Sequence, residues 1–481
     1  MKLVQTMAFC LAVAMAAGAA IAAEDAAPSK PAAKPELEVI ELAVHPAQAP
    51  RPALAWCLLP SYTERTPGNA AVVYAKACTW LGVSFGGEDG DRVREWLETP
   101  VESLPREEVR KLLEGYDEQL RYVDMAARRE RCDWDPPVRE EGRNVFGMLL
   151  PEVQAIRWAA RLVALRARLQ IAERQHDEAV ASLRTGYAMA RHVAEQPFFV
   201  CGLVAWSIEG AMSLQLRDLI AQPGVPNMYW AIAALPHPLI DVRHSIQTET
   251  AAMYQMVPEM EPSKRRDLSP DQWTALAPQA LSDVFELHQR SSPAPTPAER
   301  EAFVNEALKA APQAKADLIA AGHPKEEVEA MVPAEAVLLD VFEIYEARRD
   351  DLVKQLNLPY WLACEGMKDA ESQIAGSSKS PALVSLAETL VPLVPAAAVA
   401  EAWHQRGLAI LRCVEAIRLY AATHEGQLPP SLDSIREVPI PIDPVTGKAF
   451  DYRLEGDVAV IEAEPPAHYP PRRYRLSVVD Y

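Results

Sequence analysis

The sequence predicts a mainly α protein, an irregular helical bundle that ends in a small α+β module. Apolar residues recur at three- and four-residue spacings through much of the chain between residues 69 and 356, which is typical of amphipathic helices. Proline or a hydroxyl residue stands at the expected start of several of these segments. Near the C-terminus, residues 450–462 alternate around a glycine, which indicates a β-hairpin.

The N-terminal segment is expected to direct export. Lys2 precedes an almost entirely apolar run, and small residues follow, so residues 1–23 have the pattern of a secretory signal peptide. An uncleaved membrane anchor is the alternative for this segment. Residues 24–50 are rich in Ala, Pro, Glu and Lys, and we expect a disordered linker with room for one short strand at residues 37–44.

The charge of the chain restricts its partners. The net charge is -19, which argues against nucleic acid and against adsorption to anionic membranes, because both need a basic surface. Acidity alone identifies no partner. We therefore expect no nucleic-acid partner. We also expect a protein partner, no cofactor and no lipid-spanning segment in the mature chain.

Six of the seven cysteines lie outside the expected signal peptide, in mostly apolar surroundings. Buried free thiols are one interpretation, and a disulfide of unknown pairing in an oxidising compartment is the other. No CxxC motif is present, which excludes the usual zinc knuckle and thioredoxin-like patterns. The six are Cys57, Cys78, Cys132, Cys201, Cys364 and Cys413.

The helical part is expected to form two regions. Residues 51–260 would be one helical domain that contains a helical hairpin at 152–194, and 261–380 a second helical region. The hairpin, with Ala172 before a turn at Gln175 and His176, resembles a single tetratricopeptide-like unit. No second copy follows at that family's repeat length, so a solenoid is not expected.

Other segments with helical periodicity are expected to pack around the hairpin. Ser269 and Thr296 each precede a proline, which places a capping hydroxyl before the first helical residue. The apolar stretch 381–400 contains Glu388 and two internal prolines, which favours a buried helix over a membrane span. The expected helices cover residues 69–82, 106–130, 198–221, 238–256, 270–289, 297–311 and 334–356.

Residues 381–481 are expected to form a long helix followed by a β-hairpin module. A helix that ends at Gly426 leads into a Leu-Pro-Pro turn, a short leucine-containing segment and the stretch DPVTGKAFDY. This succession resembles the head of type II secretion pseudopilins and related pilin-like proteins. The matching residues are Leu428, Pro429, Leu432, Asp443, Pro444, Gly447, Phe450 and Tyr452.

The resemblance implies a fold signature at this stretch. We expect Asp443 to form the turn, and Phe450 and Tyr452 to pack against the rest of the module. The upstream stretch LLPSYTERTPGNAAVVYAKA is similar to segments of uncharacterised exported bacterial proteins that combine helical hairpins with such a tail. That similarity implies the periplasm or cell envelope and brings no activity with it.

The common catalytic motifs are absent. The sequence contains no GxSxG, HExxH, SxxK or GxGxxG, and the GKA at 447–449 lacks the other residues of a phosphate-binding loop. The best candidate for chemistry is His237, Asp241 and His244, whose spacing would place two imidazoles and a carboxylate on one helix face. A divalent transition metal could bind there, and a helix start with ordinary first-turn acid is the alternative.

Two further stretches could have a functional or a purely structural role. The stretch CDWDPP at 132–137 places two acids beside Trp134, which favours either a calcium or partner contact or a tryptophan packed on the bundle. In residues 198–212, Gly202, Ala205 and Gly210 indicate close helix packing, with Glu209 as a buried-edge polar contact; a ligand pocket is the alternative.

These observations favour a non-enzymatic envelope protein that binds another protein through its helical grooves or its tail. The alternative is an envelope hydrolase or metal-dependent enzyme that uses His237 and its neighbours. That alternative requires these side chains to converge in a pocket with other acids.

Overall fold

The computed structural model describes residues 37–81, 88–142, 145, 148, 150–288, 295–376, 393–466 and 469–479. The protein is mainly helical and has a small four-stranded sheet formed largely by its C-terminal residues. The fold class expected from the sequence is therefore confirmed. One described helix, Phe199–Ile220, is long and apolar enough to cross a membrane by length and composition, and most of its apolar stretch is buried inside the fold.

The chain forms two compact units, each assembled from separate stretches of sequence. Among the described residues, unit 1 takes its residues from 136–149 and 246–398, and unit 2 takes its residues from 37–135, 150–245 and 399–479. The expected order of domains along the chain, 51–260, 261–380 and 381–481, differs from this division. The difference arises because C-terminal residues complete a unit whose other parts come from the first half of the sequence.

Unit 2 contains the helical hairpin expected at 152–194. Helices α5 (Pro151–Ala172) and α6 (His176–Ala194) are joined by three residues, of which Arg174 has a φ of 61°, and α7 (Phe199–Ile220) packs against both helices. The helices of this part are α1 (Ala70–Leu81), α2 (Glu88–Glu98), α3 (Arg106–Glu114), α4 (Asp117–Ala127), α5 (Pro151–Ala172), α6 (His176–Ala194), α7 (Phe199–Ile220) and α8 (Tyr229–Ala233).

Glycines allow α7 to pack closely, as the sequence predicts for Gly202. A Cβ atom at Gly202 would lie 2.5 Å from Cγ1 of Val242, so the space a side chain would need is already filled. A Cβ at Gly186 of α6 would likewise overlap Met212 of α7. Both positions therefore require glycine for the observed packing.

The single helix expected at 106–130 is two helices. The chain turns at Gly115 and Tyr116 between α3 and α4, where the amide of Gly115 donates to Leu112 O. Glycine is a poor helix former, so the first helix ends here. The apolar residues nevertheless keep their helical spacing beyond this point, which is why the sequence predicted one helix.

The sheet of unit 2 joins the two ends of the described chain. Its strands are β1 (Glu38–Val44), β4 (Asp451–Glu455), β5 (Val458–Ala463) and β6 (Arg472–Val478). Their order in the sheet is β1-β6-β5-β4, with β1 parallel to β6 and the other pairs antiparallel. Strands β2 (Thr66–Asn69) and β3 (Arg129–Arg131) form a separate parallel pair. The hairpin expected around Gly456 is present, and the strand suggested at 37–44 belongs to the folded sheet rather than to a disordered linker.

Helix α17 (Leu393–Thr423) anchors the stretch DPVTGKAFDY through a buried ion pair. Arg406 donates from Nε and Nη2 to the two oxygens of Asp443, at 2.8 and 2.6 Å, and also to Glu464 O. Asp443 accepts from the amide of Val445 as well, so it forms the expected turn and also holds the turn onto the helix.

The aromatic residues of this stretch pack as expected. Phe450 is buried, and the hydroxyl of Tyr452 donates to Pro429 O at 2.6 Å. This bond links the proline turn to the first strand of the hairpin. The stretch DPVTGKAFDY is thus held in place at three points by the module around it.

Unit 1 is a helical cluster around Trp273, Leu281, Val341 and Phe342. Thr296 forms a capping box with Glu299, and the helices expected at 270–289 and 297–311 begin at the predicted prolines. Its helices are α10 (Met253–Met256), α11 (Pro270–His288), α12 (Pro297–Lys309), α13 (Ala311–Ala320), α14 (Lys325–Ala330), α15 (Pro333–Val353) and α16 (Tyr360–Gly376), and α9 (Arg243–Ala251) begins in unit 2. The segment 381–400, considered above as a buried helix, falls mostly outside the described residues.

The helix expected at 238–256 begins later, at Arg243. Asp241 accepts a hydrogen bond from the amide of Arg243 at 3.0 Å, and residues 237–242 are not helical. An aspartate side chain that accepts a hydrogen bond from the backbone amide two residues later competes with helix formation. The helix therefore begins after Asp241. The six described cysteines are free thiols, and Cys132, Cys201 and Cys413 are buried.

Candidate functional site

A polar cavity opens beside the helical hairpin of unit 2. It has a volume of about 200 Å³ and is bounded by α4, α5, α6 and the segment around Pro60. Charged and hydroxyl side chains form most of its wall. They include Asp124 and Arg128 from the end of α4, Arg166 from α5, and Ser182 and Arg184 from α6.

One wall of the cavity is fixed by Arg166. Its two terminal nitrogens donate to the two oxygens of Asp124, at 2.9 and 2.7 Å, and its Nε donates to Ser182 Oγ at 2.9 Å. Thr185 also donates to Asp124, at 2.7 Å. This bidentate pairing fixes the relative orientation of the guanidinium and the carboxylate, and a change of orientation would break both hydrogen bonds.

A second part of the cavity wall is fixed by Arg184. It donates to Glu64 and, from Nε, to Cys57 O at 3.1 Å, while the amide of Ser61 donates to Glu64 at 2.9 Å. Burial alone would raise the pKa of Glu64, but the hydrogen bonds from Ser61 and the charges of Arg184 and Arg128 outweigh it and lower the pKa. Glu64 is therefore ionised at neutral pH.

Arg128 is the cation that this arrangement leaves available. Its side chain is exposed at the cavity and makes no hydrogen bond or ion pair with any residue in the described part of the chain. Its backbone oxygen accepts from the amide of Thr66 at 2.9 Å, which fixes the position of the residue. Among the charged lining residues, Arg166, Asp124, Arg184 and Glu64 are thus paired with one another, whereas Arg128 and Glu178 have no hydrogen-bonded partner for their side chains in the described part of the chain.

No pattern in the sequence predicts this cavity. Its residues lie at 60–64, 124–128, 166–170 and 178–185, and no local motif connects these segments. One residue of the sequence did indicate a polar contact. Arg166 lies within the apolar run of α5, and a charged side chain in such a run needs a partner when it is buried. The partner, 42 residues away, could not be read from spacing.

The residues predicted to bind a metal do not form a metal site. His237 and Asp241 precede α9, so the three side chains are not on one helix face. Both oxygens of Asp241 are held by Arg243, at 2.8 Å each. Within the described ranges, no group of three or more His, Cys, Asp or Glu side chains could hold a metal ion.

These residues nevertheless lie close to other charged groups of unit 2. Burial lowers the pKa of His237, and the charge of Arg412 lowers it further. The pKa of Glu401 is raised to about 7 by burial and by Asp241, against the opposing charge of Arg243. The structure thus brings His237 near Arg412 and Asp241 near Glu401, rather than bringing the predicted three together.

The stretch CDWDPP is fastened to the end of α6. The amide of Cys132 donates to Glu195 at 2.6 Å, and Gln196 donates to Cys132 O at 2.8 Å. The ring of Trp134 stacks on Tyr74, with 6.2 Å between centroids. This matches the interpretation of a tryptophan packed on the helical bundle.

Comparisons with known proteins leave the function to be inferred from the site itself. Searches against protein-family models, curated proteins and solved structures found no match.

Proposed function

We propose that this chain is an exported, non-enzymatic protein of the cell envelope that binds a segment of another protein at the hairpin cavity. The observation that carries the proposal is the cavity itself, in which Arg166 and Arg184 are paired and the guanidinium of Arg128 has no hydrogen-bonded partner in the described part of the chain. Such a surface suits recognition of a partner carboxylate, because a rigid site loses little entropy on binding. The resemblance of residues 424–453 to pseudopilin heads supports a place near secretion or pilus components.

Hydrogen-bonding capacity decides what the cavity would accept. A guanidinium offers donors only, so the partner group must supply acceptors, and a carboxylate supplies two. The chain is acidic overall, with a net charge of -19, and Glu178 also lines the cavity, so an acidic partner group would be attracted only close to Arg128. A C-terminal carboxylate or an Asp or Glu side chain of the partner fits this requirement.

Site-specific photocrosslinking in intact cells tests the proposal. A benzoylphenylalanine is placed at Ala181, which is exposed at the cavity, and in a matched protein at Ala75, which is exposed on α1. We expect a discrete crosslinked partner from position 181 and none from position 75. Equal crosslinking from both positions would show that the cavity does not select a partner.

A second pair of variants tests the role of Arg128. Arg128→Gln removes the charge but leaves the backbone bond to Thr66, and Arg121→Gln removes an exposed charge on the same helix that does not line the cavity. A hydrogen bond to a charged group contributes about 1.5–3 kcal/mol, so we expect at least about tenfold less crosslinking for Arg128→Gln. Unchanged crosslinking in Arg128→Gln would contradict the proposed recognition.

The proposed location is tested separately. Cell fractionation and N-terminal sequencing of the purified protein should place it in the periplasm or envelope, with an N-terminus close to residue 24. Recovery of the full-length chain from the cytosol would contradict export.

A further inference from the structure

Two side chains of opposite charge line the hairpin cavity without a hydrogen-bonded partner in the described part of the chain. Glu178 lies in the first turn of α6 and Arg128 follows the last residue of α4, and both are exposed. The other charged residues of the wall are paired with one another, as described above. A bound segment can therefore form new charged contacts only at these two positions.

One face of α6 lines the cavity along its length. Glu178, Ala181, Ser182 and Thr185 all belong to the wall, and their three- and four-residue spacings place them on the same side of the helix. Thr185 follows Glu178 by seven residues, which corresponds to about 10 Å along the helix axis. Glu178 therefore lies at the end of the cavity that is nearer the turn of the hairpin.

Helix α4 runs beside α6 in the same direction. The hydroxyl of Thr185 donates to Asp124 at 2.7 Å, which places these two residues at the same level. Further along both helices, Arg129 O is 3.1 Å from Nε2 of His192. Residue numbers thus increase together along the two helices.

This arrangement separates the two charges along the cavity. Arg128 follows Asp124 by four residues, so it lies about 6 Å beyond the level of Asp124 and Thr185, on the side away from Glu178. The two residues are therefore about 16 Å apart along the helix axes. Between them the wall includes the small side chains of Ala127 and Ala181, which leave space for the backbone of a bound segment.

The size of the cavity favours an extended segment over a helix. An α-helix with its side chains is about 10 Å wide, which is too wide for a cavity of about 200 Å³. In an extended segment, residues four apart project from the same face and are separated by about 13 Å. Two long charged side chains at that spacing can reach both Glu178 and Arg128.

The overall charge of the chain gives the two contacts different roles. A net charge of -19 attracts a basic segment from a distance, and Glu178 adds a local contact for its basic group. An acidic group gains attraction only close to Arg128, so that contact selects among basic segments rather than speeding their approach.

We propose that the partner segment is an extended, basic stretch of protein with an acidic side chain at Arg128 and a basic side chain, four residues away, at Glu178. The basic group donates to the carboxylate of Glu178, and the acidic group accepts from the guanidinium of Arg128. This inference rests on the partner binding proposed for the hairpin cavity and adds the charge pattern of the bound segment.

Synthetic peptides of defined charge pattern test the inference on the full-length purified protein. The peptides GESTSKG and GKSTSEG carry one acid and one base four residues apart, in the two possible orders. GESKSTG has the same composition as GESTSKG, but its two charges are only two residues apart. Rhodamine-labelled peptides are titrated with the protein, and fluorescence anisotropy reports binding.

We expect at least one of the two four-residue spacings to bind about tenfold more tightly than GESKSTG, because the shorter spacing loses one charged hydrogen bond. Replacing either the Glu or the Lys of that peptide by Gln should weaken binding by a similar factor, about tenfold.

Protein variants assign each charge of the peptide to its partner. Arg128→Gln should bind the Glu peptide and its Gln version equally, and Glu178→Gln should bind the Lys peptide and its Gln version equally. Asp177→Asn is the matched control, because it removes an exposed neighbouring carboxylate of α6 that does not line the cavity. It should discriminate between the peptides as the unaltered protein does.

The inference is overturned if neither order binds more tightly than GESKSTG, or if Glu178→Gln still distinguishes Lys from Gln. Photocrosslinking from position 181 separates this failure from that of the proposed function. Crosslinking that is lost in Arg128→Gln but unchanged in Glu178→Gln would leave partner binding at the cavity supported and refute the two-charge pattern. Equal crosslinking from positions 181 and 75 would refute both.

Discussion

Asp340 should make the stability of unit 1 depend on pH. It lies on α15 with 3% of the residue exposed, and its Oδ2 atom has no hydrogen-bond partner in the described part of the chain. Burial is the main cause that raises its pKa, from the ordinary 3.8 to about 7, and the charges of Asp317 and Glu343 contribute in the same direction. His323 does not relieve this repulsion directly, because its Nε2 is bonded to Glu343 at 2.9 Å.

The sign and size of the effect follow from the shift. The folded state keeps the proton of Asp340 between about pH 4 and pH 7, whereas the unfolded state releases it, so the free energy of unfolding falls as pH rises. This contribution is fully present below about pH 4 and is lost as pH rises through about 7. At about 1.4 kcal/mol per pKa unit, the loss is about 4 kcal/mol in all and about 3 kcal/mol between pH 5 and pH 8.

Asp340→Asn should remove this dependence, because an amide keeps the shape of the protonated acid and cannot ionise. Hydrogen exchange with mass spectrometry, read on peptides of α13 and α15 at pH 5 and pH 8, gives the free energy of opening after correction for intrinsic rates. The variant should gain about 3 kcal/mol relative to the unaltered protein on going from pH 5 to pH 8. Asp369→Asn, at an exposed position of α16, is the matched control and should show no such gain.

The reasoning would be refuted if Asp340→Asn and the unaltered protein lost the same opening free energy between pH 5 and pH 8. A partial test uses Asp317→Asn, which removes one facing charge and should reduce the loss without abolishing it.

Three further substitutions test the packing of unit 2 by urea denaturation. Arg406→Met leaves the buried carboxylate of Asp443 unpaired and should lower the free energy of unfolding by about 3–5 kcal/mol; a loss below about 1 kcal/mol would contradict the importance of this pair. Gly202→Ala forces a methyl group against the stiff side chain of Val242 and should cost about 1–3 kcal/mol. Gly407→Ala, where nothing lies within 4 Å, should instead stabilise the protein by up to about 1 kcal/mol; equal effects at both glycines would contradict the packing described.

The sequence predicted well what depends on neighbouring residues. The hydroxyls of Ser269 and Thr296 marked helix starts because capping is a local interaction, and the Thr296 capping box is present. The helical hairpin of α5 and α6 could also be predicted, because the spacing of apolar residues along each helix is a local pattern. A local interaction also explains why the helix predicted at 238–256 begins only at Arg243. Asp241 accepts a hydrogen bond from the backbone amide of Arg243, and this arrangement competes with helix formation.

What depends on distant residues could not be predicted. Asp443 was correctly expected in a turn, but its ion pair with Arg406 joins segments 37 residues apart. His404 carries no motif, and its partner Glu209 lies 195 residues away. Glu209 itself was expected as a buried polar contact, so its burial was foreseen while the group it binds was not.

The parallel pairing of β1 with β6 has a consequence for how the chain reaches its native state. Glu38 and Arg472, which face each other across this ladder, are separated by 434 residues. The first strand of the sheet therefore emerges from the ribosome long before its neighbour exists, and β1 cannot be paired until synthesis has passed residue 478. Contacts between such distant positions form slowly, so the sheet is expected to close last. For a polypeptide that crosses a membrane in an unfolded form, this delay would keep the nascent chain competent for translocation until its final strand has followed.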